Sequence, residues 1–166
     1  MSEYKSPYEA SASVLSTLSS SDILLLLSPA IPGPIPDMDP FEPLGRALSG
    51  FHPKVRHVPY VPSIGMRDIH REFLAEAGAV IVVLACSLTS KTDSEKQKQF
   101  AQQVTTELGS EVPSLLVVVQ TPLVGSGDGE VGVGYDAVLS GSSCRPEHLQ
   151  DIAYKAFGHE ELSRYM

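Results

Sequence analysis

The chain contains no tryptophan, and aromatic residues make up only 7% of its 166 positions. Its aromatic side chains are five phenylalanines and six tyrosines. It is also short of positive charge. Twelve lysines and arginines stand against twenty acidic residues, a net charge of -8, the wrong sign for neutralising phosphates, so neither nucleic acid nor an anionic membrane surface is expected as a partner. Its longest apolar runs, ILLLL (Ile23 to Leu27) and AGAVIVVLAC (Ala77 to Cys86), fall well below the ~20 residues that span a bilayer. No membrane span is expected. The amino terminus, MSEYKSPYEASASV, has neither the basic start nor the apolar stretch of a secretory signal, which points to a cytoplasmic, intracellular protein.

Cysteine is scarce as well. The two thiols, Cys86 and Cys144, have no CxxC spacing, and Cys86 closes a very apolar run in which a free thiol behaves as a small hydrophobe. No disulfide framework or metal site is expected. The five histidines, His52, His57, His70, His148 and His159, show no HExxH or paired spacing for a metal. The GxSxG turn that presents a nucleophilic serine is missing too.

What the chain does contain is alternation. Asp22 to Ser28, a short apolar run ended by PAIPGPIP, reads as a buried strand. DPFEPLGRAL follows with a helix start, in which Asp39 caps, Pro40 takes the first helical position and Glu42 the capping-box position. Phe41, Leu44 and Leu48 line its inner face, with Pro43 and Gly45 weakening it. Lys54 to Tyr60 alternates like a strand at or near an edge, because Pro59 lacks an N–H.

MRDIHREFLAEA places Met66, Ile69, Phe73, Leu74 and Ala77 on one helical face. AVIVVLAC is apolar on both faces, as in the centre of a parallel sheet. Thr92 and Glu95 suggest a capping box for a helix with the stripe Phe100, Val104 and Leu108. Pro113 to Gln120 and Tyr135 to Gly141 supply two more strands, and PEHLQDIAYKAFG a last helix that stops at Gly158. The expected fold is a single doubly wound α/β domain over 22–158: a five-stranded, mostly parallel sheet with helices on both faces. A Ser-rich helix or tether, 1–21, precedes it, and an acidic tail, 159–166, follows.

One stretch, GSGDGEVGVG, matches the dinucleotide pattern GxGxxG at Gly127, Gly129 and Gly132. A functional match follows the first strand and opens a helix, whose amino end holds the pyrophosphate. These glycines lie between the fourth and fifth strands, and the following residues look extended. They read as a surface loop, no cofactor is expected, and a nucleotide or flavin module would rest on fold analogy alone. Ligands in open α/β sheets bind outside the carboxyl ends of the strands. There Ser28, Asp39, His57, His70, Ser87 and Gln120 are the candidate binding residues, with His57 and His70 flanking one strand-to-helix loop. Asp37 and Asp39 are a weaker carboxylate pair, since Asp39 has a capping task.

The blocks DPFEPLGRAL, VRHVPYVPSIGMRDIHREFLAEAGAVIVV, PSLLVVVQTP and GYDAVLSGSSCRPEHLQDIAYKAFG resemble the carboxy-terminal α/β domain of glycoside hydrolase family 3, nearest the β-N-acetylhexosaminidase-like branch found in fungi. The resemblance spans about Asp22 to Gly158 and rests on block order rather than catalytic residues. It implies a domain that normally follows a (β/α)8 barrel carrying the nucleophilic aspartate and a histidine–aspartate acid/base pair, and no such barrel is present. Where the related β-glucosidases draw an acid/base glutamate from this domain, only Glu130 stands in a comparable location, and no catalytic residue is transferred. The resemblance thus implies a stand-alone, non-catalytic accessory or interaction module that docks on a barrel glycosidase or on itself. The alternative is a small enzyme or binding protein of a fungal small-molecule pathway, taking a small molecule or sugar in the strand-end crevice.

Overall fold

The computed structural model describes residues 15, 18–31, 38–85, 90–109, 111–119 and 134–158. In chain order these form β1 (Ile23–Pro29), α1 (Glu42–Ser49), β2 (Val55–Tyr60), α2 (Asp68–Glu76), β3 (Ala77–Leu84), α3 (Lys91–Glu107), β4 (Ser114–Val119), β5 (Ala137–Gly141) and α4 (Pro146–Ala156). All strand pairs are parallel, in the order β2-β1-β3-β4-β5. The chain therefore starts near the middle, steps out to the edge with β2, then crosses back over β1 to β3. The direction of winding reverses between β1 and β3, where doubly wound sheets form their crevice.

Residue alternation divides the core into two layers. Leu24 and Leu26 of β1 and Ala79, Ile81 and Val83 of β3 face Phe41, Leu44 and Leu48 of the α1 region and Leu149, Ile152, Ala153 and Ala156 of α4. Leu25, Leu27, Val80, Val82 and Leu84 face the other way, onto Leu74 of α2 and Phe100, Ala101 and Val104 of α3. Leu24 to Leu27 are completely buried, each stabilising the fold by up to ~2 kcal/mol through the apolar surface withdrawn from water. Burial on both faces explains the unbroken apolar runs of β1, β3 and β4. β2, at the edge, is mostly half-buried or exposed.

The helix boundaries differ from the sequence expectation in three places. α3 is capped by Ser90, whose side chain accepts from the Asp93 N–H at 3.1 Å, not by Thr92. Asp39 does cap, but within a turn that precedes α1: its Oδ1 accepts from the Phe41 N–H at 2.8 Å. Glu42 does not reach back to complete a capping box and instead forms an ion pair with Arg46. In α2 the inward positions are His70 and Leu74, while Ile69 is 51% exposed. A nine-residue helix buries only a narrow stripe, and His70 wins the inward place because it satisfies backbone groups, as described below. Gly158 has φ +84, the left-handed conformation that ends a helix at little cost in glycine.

Candidate functional site

Three of the anticipated residues meet at the carboxyl ends of β1 and β2, beneath α1. Ser28 lies at the end of β1 and is completely buried. Its hydroxyl is 2.6 Å from Nε2 of His57 on β2. Oδ2 of Asp39, in the turn before α1, stands 3.6 Å from that same nitrogen. The register pairs Leu26 with His57, so the imidazole sits on the α1 side of the sheet. A Cβ at Gly45 would come within 3.3 Å of His57 Nδ1. The glycine that weakens α1 therefore lets the helix lie over the imidazole.

This arrangement is not a nucleophile relay. In a serine–histidine–aspartate triad the carboxylate takes the Nδ1 proton while the hydroxyl meets Nε2, so that the ring carries a proton between them. Here both partners converge on Nε2, and the hydroxyl has no access to solvent. Burial holds the His57 pKa below its ordinary value, opposed by the negative charges of Asp39 and then Glu42. The ring is consequently neutral near pH 7. Glu42 is held below the usual carboxylate range chiefly by its hydrogen bond from Arg46.

His70 belongs to the opposite face. Its Nδ1 accepts from the Arg67 N–H at 3.0 Å, which leaves Nε2 to carry the proton and donate to the Pro59 carbonyl at 3.0 Å. The ring packs edge-on against Phe100, which also stacks on Tyr60 at 3.8 Å between centroids. His57 and His70 therefore do not meet across the strand-to-helix loop: alternation along β2 sends His57 toward α1, whereas His70 closes the α2–α3 layer. His70 ties α2 to β2. Ser87, Gln120, Asp37, Glu130, Cys86, His159 and the GxGxxG glycines lie outside the described residues. β5 begins at Ala137, so a strand, not a helix amino end, follows the glycine-rich stretch after Gly134.

The other two histidines among the described residues are engaged in the fold. His52 binds the Asp22 carbonyl at the amino end of β1, and His148 lies against Ser142 and Ser143 before α4. Burial pushes the Cys144 thiol up to about 11, away from the thiolate a nucleophile needs. Burial likewise raises the Tyr135 phenol, whose O–H donates to the Ala101 carbonyl at 2.7 Å. Among the described residues no cluster of three or more histidine, cysteine or acidic side chains is placed to hold a metal. No helix among them is long and apolar enough to cross a membrane.

Sequence reasoning missed two surface features. Among the described residues the large apolar side chains left exposed, Met38, Val61, Ile64 and Ile69, all belong to the β1–α1 and β2–α2 connections or the first turn of α2. They rim the same end of the sheet as the polar cluster. A second feature is an open groove of about 610 Å³ between α1 and α4, lined by Pro43, Arg46, Phe51, Pro146, Gln150 and Tyr154. Val61 and Ile64 were legible as apolar residues in a proline- and glycine-bearing loop, where burial is not expected. No protein-family model matches the chain, and no curated protein matches it significantly.

Proposed function

We propose that this chain is a non-catalytic α/β module, similar to the carboxy-terminal domain of family 3 glycosidases, that docks through the carboxyl end of its sheet onto a (β/α)8 barrel protein. The observation that carries this reading is that the exposed large apolar side chains among the described residues, Met38, Val61, Ile64 and Ile69, all belong to that one end. Exposed apolar groups collected on one side of a molecule mark an interaction surface, whereas scattered ones do not. The polar cluster at the same end supports a non-hydrolytic role. Glycoside hydrolysis takes two carboxyl groups flanking the scissile bond; among the described residues the two carboxylates near the imidazole are Asp39, which caps the turn before α1, and Glu42, which is paired with Arg46.

The test is affinity capture of the tagged full-length chain from its native cells, with identification of proteins and small molecules retained at equal stoichiometry. A family 3 barrel protein in the eluate supports the accessory role. A retained sugar or other small molecule without a protein supports the alternative, a ligand-binding protein or small enzyme that uses the strand-end crevice. That second reading is favoured by the Asp39 carboxylate, whose side chain is 38% exposed at the same end and can accept from a ligand hydroxyl. Recovery of the chain paired only with itself indicates self-association through the apolar end.

A further inference from the structure

We propose that His57 and Asp39 form a proton-operated clasp between edge strand β2 and the turn that leads into α1. The geometry divides the Asp39 carboxylate between two tasks. Oδ1 accepts from the Phe41 N–H at 2.8 Å and holds the start of the helix. Oδ2 faces His57 Nε2 across 3.6 Å, too far for a hydrogen bond and too close for an indifferent neighbour.

The groups facing the ring among the described residues are Ser28 from β1, Asp39 from the turn, and Glu42 from α1, the last already engaged by Arg46. With the ring neutral and Nε2 bare, the Ser28 hydroxyl donates to Nε2, and Oδ2 meets only a lone pair. When a proton is taken up from solvent, Nε2 becomes an N–H donor and the ring a cation. Its one Nε2–H is then given to Oδ2, the 3.6 Å gap closes to a charge-assisted hydrogen bond of about 2.8 Å, and the Ser28 hydroxyl, which no longer finds a lone pair on Nε2, releases the ring. The carboxylate then bridges β2 and the first turn of α1.

A histidine at this place is otherwise difficult to explain. Its neighbours on the same face are Leu26 and the α1 layer, where an aliphatic side chain would incur no desolvation. Instead three elements are shaped around the ring: Ser28 is buried beside it, Gly45 leaves room for it, and Asp39 is aimed at it. Met38, the residue before Asp39, is one of the exposed apolar side chains at the proposed docking end. Closing the clasp fixes its position, and this consequence rests on the docking reading, while the clasp itself does not.

The test follows the His57 ring and the Phe41 amide by NMR through a pH titration of the full chain. In the wild type both are expected to move with one midpoint. In Asp39→Asn, which keeps an oxygen for Phe41 and removes the charge, the His57 midpoint is expected to fall and the Phe41 response to vanish at that midpoint. In His57→Gln the Phe41 amide is expected to lose the same transition. A Phe41 amide that ignores the His57 midpoint, or a His57 midpoint unchanged in Asp39→Asn, overturns the clasp. Capture of the barrel partner at pH 5.5 and 7.5 then tests the docking consequence separately. Coupled NMR shifts with no partner at either pH uphold the clasp and overturn the docking reading alone.

Discussion

His57, within edge strand β2, and His70, in the helix that follows it, are treated by the protein in opposite ways. His70 uses both ring nitrogens on backbone groups of two different elements and one ring edge on Phe100. Its tautomer is thereby set and no capacity remains for a ligand. His57 uses one nitrogen for a buried hydroxyl, keeps a carboxylate at arm's length from that same nitrogen, and rests against the gap left by Gly45. A buried polar group with its hydrogen bonds complete stabilises a fold. One whose partner depends on its protonation state makes the surrounding structure responsive to pH.

The largest expected effect comes from removing the structural member. His70→Ala leaves the Pro59 carbonyl and the Arg67 amide without their partner and opens a space beside Phe100, a loss of about 3 kcal/mol in chemical denaturation. His57→Ala is expected to lose only about 1 kcal/mol, from the unsatisfied Ser28 hydroxyl. If the two losses are equal, the contrast fails.

Asp39→Ala removes the bond to the Phe41 amide, and a loss of about 1 kcal/mol is expected in the same assay. A smaller effect separates Gly45 from its neighbour. Alanine in α1 gains up to about 1 kcal/mol of helix propensity, but in the wild type the new methyl meets His57 Nδ1 at 3.3 Å and much of the gain is cancelled. In the His57→Ala background the full gain is expected, so a double-mutant cycle reads a coupling of about 0.5 kcal/mol or more. An additive cycle means that the helix does not rest on the ring.

The smallest effect is the pH slope. Because burial lowers the His57 pKa in the folded chain, the unfolded chain takes up the proton first as pH falls. The contribution to stability is complete above the ordinary value near 6.5 and is lost as pH falls through the folded value. His57→Gln is expected to remove that part of the slope in stability curves collected from pH 7.5 downward.

Much of the fold was legible in the chain because burial writes itself into apolar patterns. Runs without a polar break marked β1 as a buried strand and β3 as one covered on both faces, and the alternation with Pro59 placed β2 at or near an edge. The errors fell where local and tertiary preferences compete. Thr92 was expected to cap α3, and Ser90, two residues earlier, holds the cap instead. Ile69 outranks His70 in hydropathy, yet two waiting backbone groups draw His70 inward.

The candidate site was legible as a set of strand ends, which brought in Ser28, Asp39 and His57 together with His70. What divides them is the parity of β2 combined with helices on opposite faces. Gly45 in the middle of a helical pattern was a trace of the close approach to His57, although nothing in the sequence named the group that approaches. The exposure of Met38, Val61, Ile64 and Ile69 depends on loop paths that periodicity does not encode.

Hydrogen–deuterium exchange of the chain, free and in its captured complex, tests the central claim most directly. Docking through the carboxyl end of the sheet predicts new protection in 38–41 and 61–70, around the exposed Met38, Val61, Ile64 and Ile69, with the groove between α1 and α4 unchanged. Protection confined to that groove, around Phe51 and Tyr154, or no protection in either connection, would contradict it.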